Sequence, residues 1–404
     1  MTEHVISRLG HQGDGIAEGP VFAQLTLPGE TVSGTLDGTR LTDVRIVEPS
    51  ENRVKAPCRH YKSCGGCILQ HATDEFVADW KVDVVRHALA AQSLDAEFRP
   101  IETSPILSRR RVTISARRTK KGALAGFHMR SSDVIIDIPD CQLIHPSLKP
   151  ALKMAKTLTV LGASRKGELS ITATLSPEGI DLAVTGGRPL DGPFMASLGQ
   201  EAQRMGVARL TWGGEVIAMQ APPWQPFGSA RVTPPPGGFL QATREGEASL
   251  LKAIQECVGN APKVIDLFAG CGTFSLPLAA KSKVHAVEGE DSMLAALNTG
   301  WRTALGLKPV TTETRDLFRN PIIAADLKYD AVVIDPPRAG AEAQTRELAQ
   351  SKVPMIAFVS CNPVTFARDA AILIKGGYKL NWVQVVDQFR WSSHIEVVGS
   401  FSRA

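Results

Sequence analysis

The sequence predicts an α/β protein in which an antiparallel, β-rich part precedes a doubly wound parallel sheet. From residue 263 onward, continuous apolar strands alternate with helical segments, as in parallel sheets covered by helices on both faces. Before residue 240, short alternating strands are separated by Gly and Pro, which is typical of antiparallel sheets. We predict a small barrel over 1–49, a central domain over 50–239 and the parallel-sheet domain over 240–404.

Composition limits the class of protein. Apolar residues make up 43% and charged residues 21% of the 404-residue chain, the balance of a globular protein with substantial cores. No apolar run approaches the roughly 18 residues that a membrane span needs, and the first residues lack a signal-peptide pattern. We therefore expect a cytoplasmic, monomeric protein without a membrane partner. Seven cysteines, an odd number, favour ligand thiolates and a reactive thiol over disulfides.

The first segment carries the turn signals of a small barrel. Gly13-Asp14-Gly15, Pro28-Gly29 and Asp37-Gly38 separate short stretches in which apolar and polar residues alternate. After it comes a cysteine motif, in which Cys58, Cys64 and Cys67 have the spacing C-x5-C-G-G-C. Cys141 is the next cysteine along the chain. Four thiolates suit either a structural zinc ion or an iron–sulfur cluster, and the spacing alone does not choose between them.

A run of basic residues follows the cysteine motif. Between Arg109 and Arg130 the chain has eight Lys or Arg residues and no Asp or Glu. Positive charge without compensating carboxylates is typical of a surface that binds nucleic-acid phosphates, although a solvated hairpin would show the same pattern. The residues assigned to this phosphate-binding surface are Arg109, Arg110, Arg111, Arg117, Arg118, Lys120 and Lys121.

A glycine turn opens the parallel-sheet domain. The apolar strand that begins at Val264 enters Asp266–Thr273, where Gly270 and Gly272 allow a tight strand-to-helix turn. Such a turn lies at the carboxyl end of a parallel strand, where doubly wound sheets bind nucleotide-like ligands. Position 275 is Ser, so the third glycine of the dinucleotide fingerprint is missing. Glu288 ends the next strand, where a carboxylate is suited to bind a ribose diol.

Three further motifs follow in order: D-P-P-R-A-G from Asp335, S-C-N-P from Ser360 and H-I-E from His394. Together with D-L-F-A-G-C-G-T-F from Asp266, they resemble the S-adenosylmethionine-dependent RNA uracil-5-methyltransferase family. The resemblance covers most of the chain and implies a Rossmann-like class I methyltransferase domain. Arg338, together with Cys361, argues against the DNA amino-group methyltransferases, in which an aromatic residue tends to follow D-P-P.

The resemblance implies a donor site and a catalytic pair. Cys361 is expected to add to C6 of uracil so that C5 attacks the methyl group, and Glu396 is expected to remove the C5 proton. His394 is interpreted as shaping the pocket, and Cys257 and Cys271 as structural. Thr243 replaces the Asn that the family has two residues after Gln241. The positions expected to bind S-adenosylmethionine are Gln241, Phe268, Gly270, Gly272, Glu288, Asp316 and Asp335.

The same resemblance implies that Cys58, Cys64, Cys67 and Cys141 hold a [4Fe–4S] cluster and that the barrel is TRAM-like, of the OB type. These features are those of the enzymes that act on 23S ribosomal RNA, which is the expected substrate. The alternatives are a tRNA uracil-5-methyltransferase, expected to lack the cluster and the leading barrel, and a non-catalytic iron–sulfur protein that binds RNA. The presence of Cys361, Glu396 and Asp335 disfavours the last.

Overall fold

The computed structural model describes residues 2–403 and begins with a closed five-stranded barrel. Its strands follow the order β1-β2-β3-β5-β4, and the first strand pairs with the fourth to close it. Ile6, Val32 and Leu41 are among the buried residues that fill it. The predicted small barrel is therefore confirmed. The strands are β1 (Thr2–Leu9), β2 (Gly15–Ala17), β3 (Val21–Ala23), β4 (Thr31–Asp37) and β5 (Arg40–Glu48).

The cysteine motif lies between the barrel and a long helix, α1 (Asp74–Ala90), which is followed by strand β6 (Phe98–Thr103). Thr73 caps α1 by accepting a hydrogen bond from the Phe76 N–H, and two acidic residues stand in its first turn. The buried face of α1 consists of Val77, Trp80, Lys81, Val85 and Leu89.

A seven-stranded sheet forms the central part, in the order β13-β12-β11-β10-β7-β8-β9. All of its pairs are antiparallel except β11 with β12, which are joined by a helix. Its elements are β7 (Arg111–Thr119), β8 (Gly122–His128), β9 (Ile135–Asp137), α2 (Pro150–Gly162), β10 (Glu168–Ser176), β11 (Gly179–Thr185), α3 (Gly192–Met205), β12 (Arg209–Trp212) and β13 (Glu215–Met219). The hairpin β14 (Gln225–Phe227) and β15 (Ala230–Val232) follows, and then helix α4 (Arg244–Val258).

The carboxyl-terminal part is an eight-stranded sheet in the order β18-β17-β16-β19-β20-β22-β21-β6. Five strands, β16 to β20, are parallel, as predicted, whereas β22 runs antiparallel between β20 and β21. Separate apolar cores cover its two faces. Its elements are β16 (Lys263–Leu267), α5 (Ser275–Leu278), β17 (Lys283–Glu288), α6 (Asp291–Thr303), β18 (Val310–Thr314), β19 (Ala331–Ile334), α7 (Glu342–Gln350), β20 (Met355–Ser360), α8 (Pro363–Lys375), β21 (Lys379–Asp387) and β22 (Glu396–Ser402).

One early segment belongs to this last sheet. Strand β6 pairs in parallel with β21 and covers an edge that would otherwise present unpaired backbone groups. Helix α1 packs beside it, with Val85 and Leu89 in the same core as Phe366 of α8. The stretch before the central sheet therefore completes the carboxyl-terminal one. No helix within residues 2–403 is long and apolar enough to span a membrane.

Candidate active site

The glycine turn after β16 has the conformation that its sequence predicts. Gly270 and Gly272 have φ values of +55° and +91°, and Phe268 between strand and turn also has a positive φ, +62°. A Cβ on Gly272 would lie 2.8 Å from Cγ of Leu297, so the turn packs against α6 without room for a side chain. Only glycine meets both requirements at this position.

Glu288, at the end of β17, fixes that turn. Its Oε2 accepts the Gly270 N–H at 2.9 Å, while Oε1 accepts the N–H groups of Gly289 at 2.7 Å and Glu290 at 3.1 Å. A carboxylate has about four lone-pair sites. Three backbone bonds therefore leave acceptor capacity for a ligand hydroxyl, and the carboxylate is held in place before a ligand arrives.

Phe268 and Asp316 lie at the same sheet edge as Glu288. The Phe268 ring packs against Phe318, with centroids 5.4 Å apart. Asp316 is exposed, and its Oδ1 accepts the Phe318 N–H at 3.0 Å. The Arg315 N–H donates to the Glu288 carbonyl at 2.9 Å, which joins this segment to β17. The structure thus brings together the donor-site residues predicted after β16, β17 and β18.

Two carboxyl groups lie close to the turn, Asp266 fully buried and Asp335 partly exposed. Asp266, in β16, is fully buried, and its Oδ2 accepts the Ser275 hydroxyl at 2.5 Å. Its Oδ1 has no hydrogen-bond partner among residues 2–403. Burial raises the pKa of Asp266 to about 7. Burial and the nearby charge of Asp266 likewise raise the pKa of Asp335 to about 7. Asp266 was predicted only as part of the glycine turn, without a role of its own.

Gln241 joins Asp335 to Gln388. It is buried, its Nε2 donates to Oδ2 of Asp335 at 3.4 Å, and its Oε1 accepts from Nε2 of Gln388 at 2.5 Å. Oε1 of Gln388 in turn accepts the Ala242 N–H at 2.8 Å. Sequence reasoning missed Gln388. The available signal was a polar residue at the carboxyl end of β21, the same sheet edge as the glycine turn.

Cys361 and Glu396 meet where β20 and β22 pair. Ser360 is opposite Val397 in the ladder, so the residue after β20 comes beside the first residue of β22. Cys361 is half-buried and Glu396 is 5% exposed. Burial, with the charges of Glu396 and Asp335, raises the pKa of the Cys361 thiol to about 11. Burial above all raises the pKa of Glu396 well above its ordinary value, and the charge of Asp335 adds to this effect.

Hydrogen bonds and ring packing fix the chain segments next to Cys361 and Glu396. Asn362 begins α8, where its Oδ1 accepts the Val364 N–H at 3.1 Å and its Nδ2 donates to the Arg338 carbonyl at 3.0 Å. The D-P-P-R turn is therefore tied to the segment that carries Cys361. His394 packs against Phe389, with ring centroids 5.4 Å apart. The two remaining cysteines of this part of the chain, Cys257 and Cys271, are buried in its core.

The four amino-terminal cysteines line one shared cavity, together with apolar side chains such as Phe127 and Ile138. The Gly66 N–H donates to Sγ of Cys64 at 3.4 Å. Added Cβ atoms on Gly65 and Gly66 would lie 2.8 Å from the His128 carbonyl oxygen and 3.1 Å from the Phe127 ring. The two glycines therefore let the backbone wrap closely around the thiols. Within residues 2–403, no three His, Cys, Asp or Glu side chains are grouped as ligands of one metal ion.

The prediction that Arg110 faces RNA is wrong, whereas Arg109 and Arg111 are partly exposed. Arg110 is 2% exposed, its guanidinium pairs with Glu247, and its Nε donates to the Gln241 carbonyl at 3.1 Å. The Arg111 guanidinium donates to the Gly237 carbonyl at 3.1 Å. The side chains of Arg110 and Arg111 therefore join the central sheet to the segment 237–247 that follows it.

The other residues of the basic run differ in their contacts and exposure. Arg109 lines the cysteine cavity and stacks over the Phe389 ring at 5.1 Å. Arg117 pairs with Glu168 at 2.8 Å. Arg118, Lys120 and Lys121, at the turn between β7 and β8, are exposed. Arg118, Lys120 and Lys121 therefore keep the exposed positive charge of a nucleic-acid surface.

Comparisons with known proteins agree with this geometry. A family model described as tRNA (Uracil-5-)-methyltransferase matches residues 236–403. An uncharacterized RNA methyltransferase of Brucella suis is 43% identical over 402 residues, covering 98% of this chain and 97% of that protein. The 23S rRNA (uracil(1939)-C(5))-methyltransferase RlmD of Halomonas elongata is 31% identical, covering 98% of this chain and 88% of that protein.

A solved structure shares the fold over the whole length. It is the Pyrococcus abyssi tRNA (uracil-54, C5)-methyltransferase in complex with S-adenosyl-L-homocysteine. The match has a TM-score of 0.78 and covers 99% of each chain, at 20% sequence identity. At that identity the likeness concerns the fold, which includes the leading barrel.

Proposed function

This chain belongs to the S-adenosylmethionine-dependent RNA uracil-5-methyltransferase family, and from that premise we propose that it methylates C5 of a uridine in 23S ribosomal RNA. The observation that carries the proposal is the ladder between β20 and β22, which puts Cys361 beside Glu396 with Asp335 close to both. A nucleophile and a buried carboxyl at one sheet edge are what addition to uracil and removal of its C5 proton require.

The proposed mechanism follows from the chemistry of these two residues. Bound S-adenosylmethionine supplies an electrophilic methyl group and a positive sulfonium charge. The Cys361 thiolate would form a bond to C6 of the uracil, and the ring electrons would move to C5. C5 would then bond to the methyl carbon as the methyl–sulfur bond of the donor breaks, leaving S-adenosylhomocysteine. Glu396 then accepts the C5 proton, the C5=C6 double bond re-forms, and the Cys361 sulfur leaves as thiolate. Because the Cys361 sulfur is recessed at the sheet edge and half-buried, C6 of a stacked base would not reach it, and the target base must leave its stack.

The surroundings of Glu396 and Cys361 suit proton removal and nucleophilic addition, respectively. Burial raises the pKa of Glu396, so this carboxylate is a stronger base than an exposed one. The Cys361 thiol, with a pKa of about 11, is mostly protonated in the free protein at neutral pH. The Arg338 guanidinium opposes the two carboxylates and lowers the pKa of the Cys361 thiol. A cationic donor acts in the same direction, which couples donor binding to thiol ionisation.

Two substitutions separate the steps. Cys361→Ala should give neither methylation nor a covalent complex, whereas Glu396→Gln should transfer the methyl group and then retain the C5 proton. The second variant should therefore accumulate a methylated RNA–protein adduct that survives denaturing electrophoresis. RNA with 5-fluorouridine should trap the wild-type protein similarly, since fluorine does not leave as a proton does. Cys257→Ala, a thiol buried in the same domain, is the matched control. Near-normal methylation by Cys361→Ala would refute the mechanism.

Ribosomal RNA is favoured over tRNA as the substrate by sequence identity. The Halomonas elongata protein named as a 23S rRNA enzyme is 31% identical over nearly the whole chain, against 20% for the Pyrococcus abyssi tRNA enzyme. The expectation that tRNA enzymes lack the leading barrel is wrong for the Pyrococcus protein, whose fold matches throughout. Methyl incorporation into 23S rRNA and tRNA transcripts, measured side by side, tests the choice. Preferential labelling of tRNA would reverse it.

We also propose that Cys58, Cys64, Cys67 and Cys141 hold a [4Fe–4S] cluster. The support is the shared cavity, the close backbone at Gly65 and Gly66, and the spacing of the motif. Burial raises the pKa of the Cys67 thiol to about 12, so a bound cationic centre is needed to keep it ionised. With all four thiolates used as ligands, the cluster would have a structural role. Protein purified without oxygen should contain iron and sulfide, and stoichiometric zinc without iron would exclude the cluster.

A further inference from the structure

The loop between β21 and β22 carries two parts of the site. It begins with Gln388, which contacts Gln241, and it ends immediately before Glu396. The side chain of Lys81, which is distant in sequence, contacts both ends of this loop. Lys81, in α1, is fully buried, and its Nζ donates to Oδ1 of Asp387 at 2.6 Å, to the Phe389 carbonyl at 3.1 Å and to the His394 carbonyl at 3.0 Å.

These three bonds use every donor of the Lys81 ammonium group. Asp387 and Phe389 lie at the start of the loop, whereas His394 lies two residues before Glu396. The ammonium group therefore ties the entry of the loop to its exit. An isolated buried ion pair is weak evidence for stability, because desolvation of both charges offsets their attraction. Two bonds to main-chain carbonyls point instead to control of the loop's shape.

Neighbouring contacts support that interpretation. Trp391, near the middle of the loop, has φ +60°, and its carbonyl accepts the N–H groups of Ile68 at 2.7 Å and Leu69 at 3.1 Å. Its Nε1 donates to Asp74 at 3.1 Å. The loop is thus held in a sparsely populated backbone conformation by the segment between the cysteine motif and Lys81.

We propose that Lys81 is a positioning residue that sets the place of Glu396 relative to Cys361 by fixing both ends of the loop 388–395. The inference rests on the proposed function, in which Glu396 takes the C5 proton. A base displaced by about 1 Å can lose about a hundredfold in rate. Loss of Lys81 should therefore slow proton removal more than the earlier attack by Cys361.

The test measures two rates with the full-length protein. Single-turnover methyl transfer to a uridine-containing RNA reports the steps up to transfer, and free methylated RNA reports the elimination. For Lys81→Met we expect a 10- to 100-fold fall in the second rate, a smaller change in the first, and accumulation of the denaturation-resistant adduct. Asp387→Asn keeps an acceptor at the same place and should shift the ratio in the same direction by less. If Lys81→Met does not fold, the Asp387→Asn protein provides the test.

Arg209→Met is the matched control. Arg209 is 4% exposed and forms a buried pair with Asp181, with Nη2 and Oδ2 2.7 Å apart, in the central sheet away from the loop. Its loss should lower stability without adduct accumulation. A folded Lys81→Met or Asp387→Asn protein with the wild-type ratio of rates would overturn the inference. If wild-type protein forms no adduct with 5-fluorouridine RNA, the proposed function fails instead, whatever Lys81 does.

Discussion

Stability of the carboxyl-terminal domain should depend on pH through Asp266. The side chain is fully buried beneath the glycine turn, one oxygen accepts the Ser275 hydroxyl, and the other has no partner among residues 2–403. Burial raises the pKa of Asp266 from 3.8 to about 7. The folded state therefore holds this proton more tightly than the unfolded chain does.

The sign and size of the effect follow from proton linkage. The contribution to stability is complete below about pH 4 and is lost as the pH rises through about 7. A rise of about three in pKa corresponds to about 4 kcal/mol, at about 1.4 kcal/mol for each pH unit. Between pH 5 and pH 8, about 3 kcal/mol of this should be lost from the free energy of unfolding.

Asp266→Asn removes the ionisation and keeps the shape and the acceptor for Ser275. Urea titrations at pH 5, 6, 7 and 8, without methyl donor, give the free energy of unfolding of both proteins. We expect the fall between pH 5 and pH 8 to be smaller in the variant by about 3 kcal/mol. Asp326→Asn, an exposed carboxyl in the same domain, should follow the wild-type profile. Parallel profiles for Asp266→Asn and the wild type would refute the reasoning.

Two further predictions concern the turn and the thiol. Gly272→Ala should lower the free energy of unfolding by about 1–3 kcal/mol and weaken donor binding in calorimetry, because its Cβ meets Leu297 at a φ of +91°. Gly199→Ala, with open space around its Cβ, is the control, and equal behaviour of the two would contradict the prediction. Alkylation of Cys361 by iodoacetamide should accelerate about tenfold for each pH unit between pH 7 and 9, since its pKa is about 11. Asp335→Asn should raise the rate at pH 8 by removing a negative charge, and a rate independent of pH would contradict the assignment.

The sequence by itself determined the parts of the molecule that depend on neighbours along the chain. Alternation and turn residues predicted the barrel, and continuous apolar strands predicted the parallel sheet. Residues at the end of a strand or directly after it, such as Glu288 and Cys361, could be placed at one sheet edge because parallel strands share that edge. The resemblance of the motifs to one family then identified the residues expected to bind the methyl donor.

Only the tertiary structure decided which polar side chains are buried and what they contact. Lys81 is four residues from both Val77 and Val85 on the buried face of α1, but its partner, Asp387, is 306 residues away. Arg110 stands in a basic run that predicts a solvated surface, and it is buried because Glu247 and the Gln241 carbonyl surround it.

The pairing of β6 with β21 was also decided only by the tertiary structure. A strand edge is satisfied by whichever strand the fold brings beside it, and nothing local to residues 98–103 specifies β21. Burial of a charge depends likewise on whether distant partners compensate its lost hydration, a balance that exists only in the folded chain. The local sequence pattern therefore determined the strands and helices and the positions of the site motifs along the chain. Long-range contacts determined which charged side chains are buried and which partners they bind.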